Sequence, residues 1–182
     1  DSDFIKTVTM LLHDRFSIKN TYVMGLSNGG MMAQLMGCTY PELFDGVINI
    51  VGMQPLGMSC IPKLPINLII YGGALDKSTP PESIKTSSGY LYEPMLNTLN
   101  SWANQFNCKD YKISQLSEPF KTEEMMYFNC KNNVITQKVD YIAAANRRDD
   151  DPPQLAFKLQ EYVTRTLVSS PPGDTHTHTH LE

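Results

Sequence analysis

Histidine is scarce in this 182-residue chain, with four in all, at His13, His176, His178 and His180. Chemistry that needs an imidazole base must draw on these, and three of them alternate with threonine close to the end of the sequence. Positive charge is also in short supply: 15 Lys and Arg face 19 Asp and Glu, for a formal net charge of -4. Such a chain has no basic field to gather phosphates, which excludes nucleic acid and anionic membrane surfaces as partners on electrostatic grounds. No apolar run approaches the roughly 18 to 20 residues that a membrane helix needs, the longest being the interrupted stretches at 47–51 and 68–71. No C-x-x-C spacing exists to suggest a zinc site. The opening Asp1-Ser2-Asp3 holds neither a basic n-region nor an apolar h-region, so if the protein is exported its signal is expected upstream. Internal repeats are absent too.

What is present suits one core. A hydrophobic content of 41% lets 182 residues bury a single interior of ordinary size, so residues 1–168 are expected to form one domain or part of one. The Ser, Pro, Gly, Thr and His stretch from Ser169 to Glu182 has nothing to bury and reads as a disordered tail or an appended tag. The cysteines Cys38, Cys60, Cys108 and Cys130 fall into two separated couples. Four cysteines allow three pairings; nearest-in-sequence closure gives two loops of similar length, with four buried free thiols as the competing reading.

Apolar positions Phe4, Ile5, Val8, Leu11 and Leu12 predict a helix over 3–16 with those residues on one face and Asp3 as its cap. Runs at 21–26, 46–52 and 65–73 are β-rich, bounded by glycine, and read as buried strands. A helix is expected at 28–40. Another, at 93–106, would have Leu96, Leu99, Trp102, Ala103 and Phe106 inward. A fourth strand is expected at 134–142, paired with 124–129, and a last helix at 153–167 with proline in its first turn. The methionines read as adaptable core filler, and Asp149-Asp150-Asp151 as a solvated loop. Strands alternating with helices predict an α/β fold with a mostly parallel sheet flanked by helices.

One motif carries chemistry. Gly25-Leu26-Ser27-Asn28-Gly29-Gly30 lies where a strand ends and a helix begins, the setting in which G-x-S-x-G forms a nucleophile elbow. The serine hydroxyl is pushed out at the tip of the sheet, and the flanking glycines are expected to remove Cβ atoms that would collide with the neighbouring elements. The backbone N–H of Asn28, at the start of the helix, can donate to a developing oxyanion. Asp76 follows Tyr71-Gly72-Gly73-Ala74-Leu75 at the carboxyl end of a later strand, the edge where catalytic groups gather in open α/β sheets. There it would orient and charge-stabilise a histidine. The bland alternative is a turn aspartate ahead of Pro80 and Pro81.

The run Thr21 to Gln34, Cys38 behind it, Pro41-Glu42-Leu43-Phe44, Gly73 to Asp76 ahead of Thr79-Pro80, and Trp102-Ala103 leading to Asn107-Cys108 together resemble the polyhydroxybutyrate depolymerase, feruloyl esterase and acetylxylan esterase group of α/β-hydrolases. The resemblance spans about residues 3–167 and implies a secreted or periplasmic serine esterase that contains disulfides. Its substrate would be an ester, a polyester or an ester-linked polysaccharide, with no cofactor and no metal. It also implies two departures. The family's strands ahead of the elbow strand, with the second oxyanion donor, have no counterpart here, so the fold would be the C-terminal part of the domain. The family's histidine falls at Asn146, and an amide cannot take the serine proton, so the triad is expected to be impaired. His13 reads as a surface residue and the Thr-His tract as a tail. A binding or interaction protein on the same scaffold is the alternative to an enzyme.

Overall fold

The computed structural model describes residues 1–116 and 121–142, all within one contact unit, Asp1–Ala144. Asn146, Asp149–Asp151, the expected helix at 153–167 and the tail after it lie outside the described residues.

The elements are α1 (Ser2–Arg15), β1 (Tyr22–Leu26), α2 (Asn28–Thr39), β2 (Gly46–Ile50), β3 (Asn67–Gly73), α3 (Met95–Gln105), β4 (Asp110–Leu116), β5 (Lys121–Phe128) and β6 (Thr136–Ile142). The strands form one six-stranded sheet in the order β1-β2-β3-β6-β5-β4. β1, β2, β3 and β6 run parallel, while β5 lies antiparallel between β6 and β4. The chain is thus a mixed α/β protein whose parallel sheet is accompanied by helices, as the alternation of elements predicts. β4 was not anticipated, because its short run from Asp110 alternates without a strong apolar face.

Register assigns the faces. Leu26, Ile50 and Tyr71 align across β1, β2 and β3, as do Val23, Val47 and Leu68. Side chains alternate along each strand, so Val47, Leu68 and Ile70 share one face. That face is where the core cluster gathers: Ile5 of α1, Ala33 and Met36 of α2, Met95 and Trp102 of α3, and Phe106 just after α3 pack against it. Trp102 and Phe106 meet edge to face with centroids 5.9 Å apart, and the Trp102 indole N–H donates to the Cys60 carbonyl at 3.1 Å. The opposite face carries Ile48, Ile50, Ile69 and Tyr71, also buried.

Three sequence expectations need correction. The apolar face of α1 is largely exposed, Phe4 by 72%, and the buried residue of that helix is Thr9. α1 packs chiefly on α2 and the turn at Pro41–Leu43, beside an edge strand. Its N-cap is Asp1, while Asp3 accepts a hydrogen bond from the Tyr40 hydroxyl at 3.3 Å. β1 is an edge strand and not a buried one: Met24 and Leu26 are exposed, because no described strand lies beyond them. In α3 it is Met95 that turns inward, and Leu96 stays exposed. Methionine is core filler at Met36, Met53 and Met95, whereas Met10, Met24 and Met58 face outward.

Two disulfides, Cys38–Cys60 and Cys108–Cys130, realise the nearest-in-sequence pairing, each closing a separation of 22 residues. The first ties the end of α2 to the β2–β3 connection; the second ties the segment after α3 to the end of β5. Both fit an oxidising compartment. No helix among the described residues is long and apolar enough to cross a membrane.

Candidate functional site

β1 ends at Leu26 and α2 begins at Asn28, which leaves a single residue, Ser27, to turn the chain. It does so at φ 54° and ψ -122°, a backbone conformation that side-chain-bearing residues rarely adopt. Holding such a residue costs about 1–3 kcal/mol, so the surroundings must enforce it. They do so from both sides. The Ser27 N–H donates to the Ile50 carbonyl at 2.8 Å, and the Ser27 carbonyl accepts from Met31 N–H at 3.1 Å, opening the helix. The Ser27 side chain makes no capping bond and the residue is exposed, so the hydroxyl is presented outward at the carboxyl rim of the sheet.

Close packing explains the glycines, though not the pair the motif suggests. A Cβ on Gly25 would strike the Gly29 carbonyl, which makes Gly25 obligatory. Gly29 itself has nothing within 4 Å of a would-be Cβ. Gly30 is the second essential position, because a Cβ there would collide with the Asn49 side chain and come to 2.9 Å from the Gly25 carbonyl. The glycine needed for the helix to press against β2 is therefore the one after the motif ends.

Behind the elbow lies a buried polar brace that the sequence reading did not single out. Asn49 of β2 donates to the Gln34 side chain at 2.8 Å and to the Gly52 carbonyl at 2.9 Å, and accepts from Gly52 N–H at 3.0 Å. Gln54 donates to the Met31 carbonyl at 2.8 Å. These bonds lock α2 to β2 and to the loop after it. An asparagine within an apolar strand, Gly-Val-Ile-Asn-Ile-Val-Gly, was the available signal, since a buried amide must be paired to be tolerated.

Asp76 lies three residues past the end of β3, and its carboxylate organises the turn: Oδ1 accepts from Ser78 N–H at 2.7 Å and Thr79 N–H at 3.0 Å. It is thus a turn-capping aspartate, the bland alternative, and is also at the carboxyl edge as the catalytic reading requires. Thr79 links it onward. The Thr79 hydroxyl stands 2.7 Å from the Val51 carbonyl and 3.0 Å from Asp76 Oδ2. The hydroxyl has one proton to share between these two acceptors. Val51, expected inside a strand over 46–52, lies just beyond it at φ 46°, uncommon for a β-branched residue. Its N–H donates to the Tyr71 carbonyl at 2.9 Å.

The end of β2 therefore ties the site together: Ile50 holds the elbow and Val51 holds the Asp76 turn. Ser27 follows β1 and Asp76 follows β3, parallel strands two places apart in the sheet, so both lie at its carboxyl edge. The Asn28 amide is among the first-turn donors that a helix leaves without an internal partner, and it sits at the positive end of the α2 dipole.

The one histidine among the described residues does not lie beside Ser27. His13 is exposed, as expected, and its Nε2 lies 2.7 Å from the Thr21 hydroxyl. Thr21 precedes β1, so His13 belongs to the amino edge, at the other end of β1 from Ser27. Among the described residues no group of His, Cys, Asp and Glu could hold a metal ion. A depression of about 450 Å³ borders Asp76, lined also by Leu75, Lys77, Pro80, Ile84 and Lys85. No protein-family model matches the chain, and a comparison with curated proteins returns no match.

Proposed function

We propose that this chain is built as a serine carboxylic-ester hydrolase of the depolymerase and esterase type, with Ser27 as nucleophile, Asp76 as triad acid and the Asn28 amide as oxyanion donor, and that its activity is impaired by the want of a base. The observation that carries the reading is the backbone of Ser27, at φ 54° and ψ -122° between a strand and a helix, with its hydroxyl unbound by the cap. Strain of that kind persists only where neighbouring contacts hold it, and its product is an outward hydroxyl beside a free amide. Attack on an ester carbonyl would place the new oxyanion against Asn28 N–H, where one preorganised donor is worth about 3 kcal/mol. Among the described residues the serine proton then finds no histidine to accept it. His13 stands at the other edge, and the position where the resemblance puts histidine is Asn146, whose amide is not basic. Loss of a triad histidine removes several orders of magnitude in rate while leaving the oxyanion contribution.

The placement of His13 also favours a second reading, an ester-binding protein without turnover. A fluorophosphonate probe separates the cases. The expected result is one slow adduct, mapped to Ser27 by peptide mass and absent from Ser27→Ala. Rapid stoichiometric labelling would show that a base is present after all, and labelling elsewhere would remove Ser27 from the role. Ester affinity with no adduct of any kind would establish the binding protein.

A further inference from the structure

The depression beside Asp76 has a chemistry that attack by Ser27 does not by itself require. Its walls are fixed on two sides. One is the turn from Gly73, where Asp76 N–H donates to the Gly73 carbonyl at 2.9 Å and the carboxylate holds Ser78 and Thr79. The other is the loop closed at Thr86, whose carbonyl accepts from Gly89 N–H at 2.9 Å and whose hydroxyl accepts from Tyr90 N–H at 3.0 Å. Between them the lining is mostly apolar, supplied by Leu75, Pro80 and Ile84, with Leu75 and Ile84 more than half exposed. Lys77 and Lys85 also line it, and neither forms an ion pair among the described residues. Asp76 is the one acidic group in the lining, and its oxygens face the turn. In a chain of net charge -4, this is a locally cationic and apolar hollow.

We propose that the hollow binds an amphiphilic carboxylate, its apolar body against Leu75, Pro80 and Ile84 and its anionic end between the Lys77 and Lys85 ammonium groups. The volume lies within the range of small-molecule sites, and a few placed charges in an apolar lining are what orient such ligands. Where the hydrolase reading also holds, the proposal deepens it: the preferred ester carries a free carboxylate on the part that lies over β3, next to the Asp76 turn. The site does not depend on turnover, so it can be tested by binding alone.

The probes are 4-phenylbutyrate and its uncharged counterpart 4-phenylbutyramide, titrated by calorimetry or amide-shift NMR at low salt. The acid should bind about tenfold more tightly than the amide, the combined effect of two partly exposed charge contacts. In Lys77→Gln/Lys85→Gln the acid should fall to the affinity of the amide, while Lys77→Arg/Lys85→Arg keeps the preference and shows that the loop is intact. Ser27→Ala should leave both affinities unchanged, and about 1 M salt should erase the difference. Equal affinity for acid and amide, an acid affinity indifferent to the double Gln change, or binding of neither probe overturns the proposal. Fluorophosphonate labelling of Ser27 is read separately: labelling without carboxylate preference removes this site alone, and preference without labelling removes the hydrolase alone.

Discussion

Adjacent glycines at the start of α2 should respond to alanine with opposite signs. At Gly30 the new methyl meets the Asn49 side chain and the Gly25 carbonyl, two groups that cannot retreat: Asn49 is fully buried and bonded to Gln34 and Gly52, and Gly25 is pressed against Gly29. Overpacking of this sort costs about 1–3 kcal/mol, and displacing the Asn49–Gly52 pair costs about 1 kcal/mol more. The helix propensity gained by alanine offsets about 1 kcal/mol. The net loss is about 2 kcal/mol, which for a chain of this size lowers the melting temperature by about 4–8 °C. Gly29 has nothing within 4 Å of the added atom, so only the propensity gain remains, about 0.5 kcal/mol near the helix end and a rise of about 1–2 °C. Thermal unfolding followed by circular dichroism, with both variants in one buffer, reads the contrast. Equal shifts in the same direction would refute the packing described behind the elbow.

Two other outcomes are expected. Replacing Cys38 and Cys60 together by alanine opens a closure of 22 residues and should lower stability by about 3 kcal/mol in a denaturant titration, without altering the Cys108–Cys130 peptide found by non-reducing mapping. Tyr22 has its phenol held above the ordinary value of 10, by burial first and by the Asp45 carboxylate second. Because the folded state keeps that proton longer than the unfolded one, the associated stability is whole below pH 10 and is lost as pH rises through the raised value. Tyr40 is raised as well, by burial first and by Asp3 next, so phenolate absorbance should show Tyr22 and Tyr40 titrating late, and Asp45→Asn should bring the Tyr22 component earlier.

The elbow, the parallel strands and Asp76 at their carboxyl edge were legible because each is written locally: a β-rich run, a glycine, a helix-period stretch. Burial was less so. The stripe Phe4, Val8, Leu11 and Leu12 has the period of a buried face, yet periodicity states which residues share a side and not whether anything covers it. The same limit applies to β1, where Met24 and Leu26 look like core and stand at an edge. Gly29 and Gly30 were indistinguishable in sequence, since the contact that separates them comes from Asn49, 19 residues on. The turn at Val51 was hidden because a β-branched residue argues for continued strand, and the bonds that force φ 46° come from Tyr71 and Thr79.

The proposal stands on Ser27 being a nucleophile whose missing base the resemblance puts at Asn146, and Asn146→His tests that most directly. Release of p-nitrophenolate from p-nitrophenyl acetate should rise at least about a hundredfold over the unaltered chain, a fraction of what a complete triad supplies. Adding Ser27→Ala to the same variant should return the rate to background. An unchanged rate in Asn146→His, or a gain that survives Ser27→Ala, would contradict it.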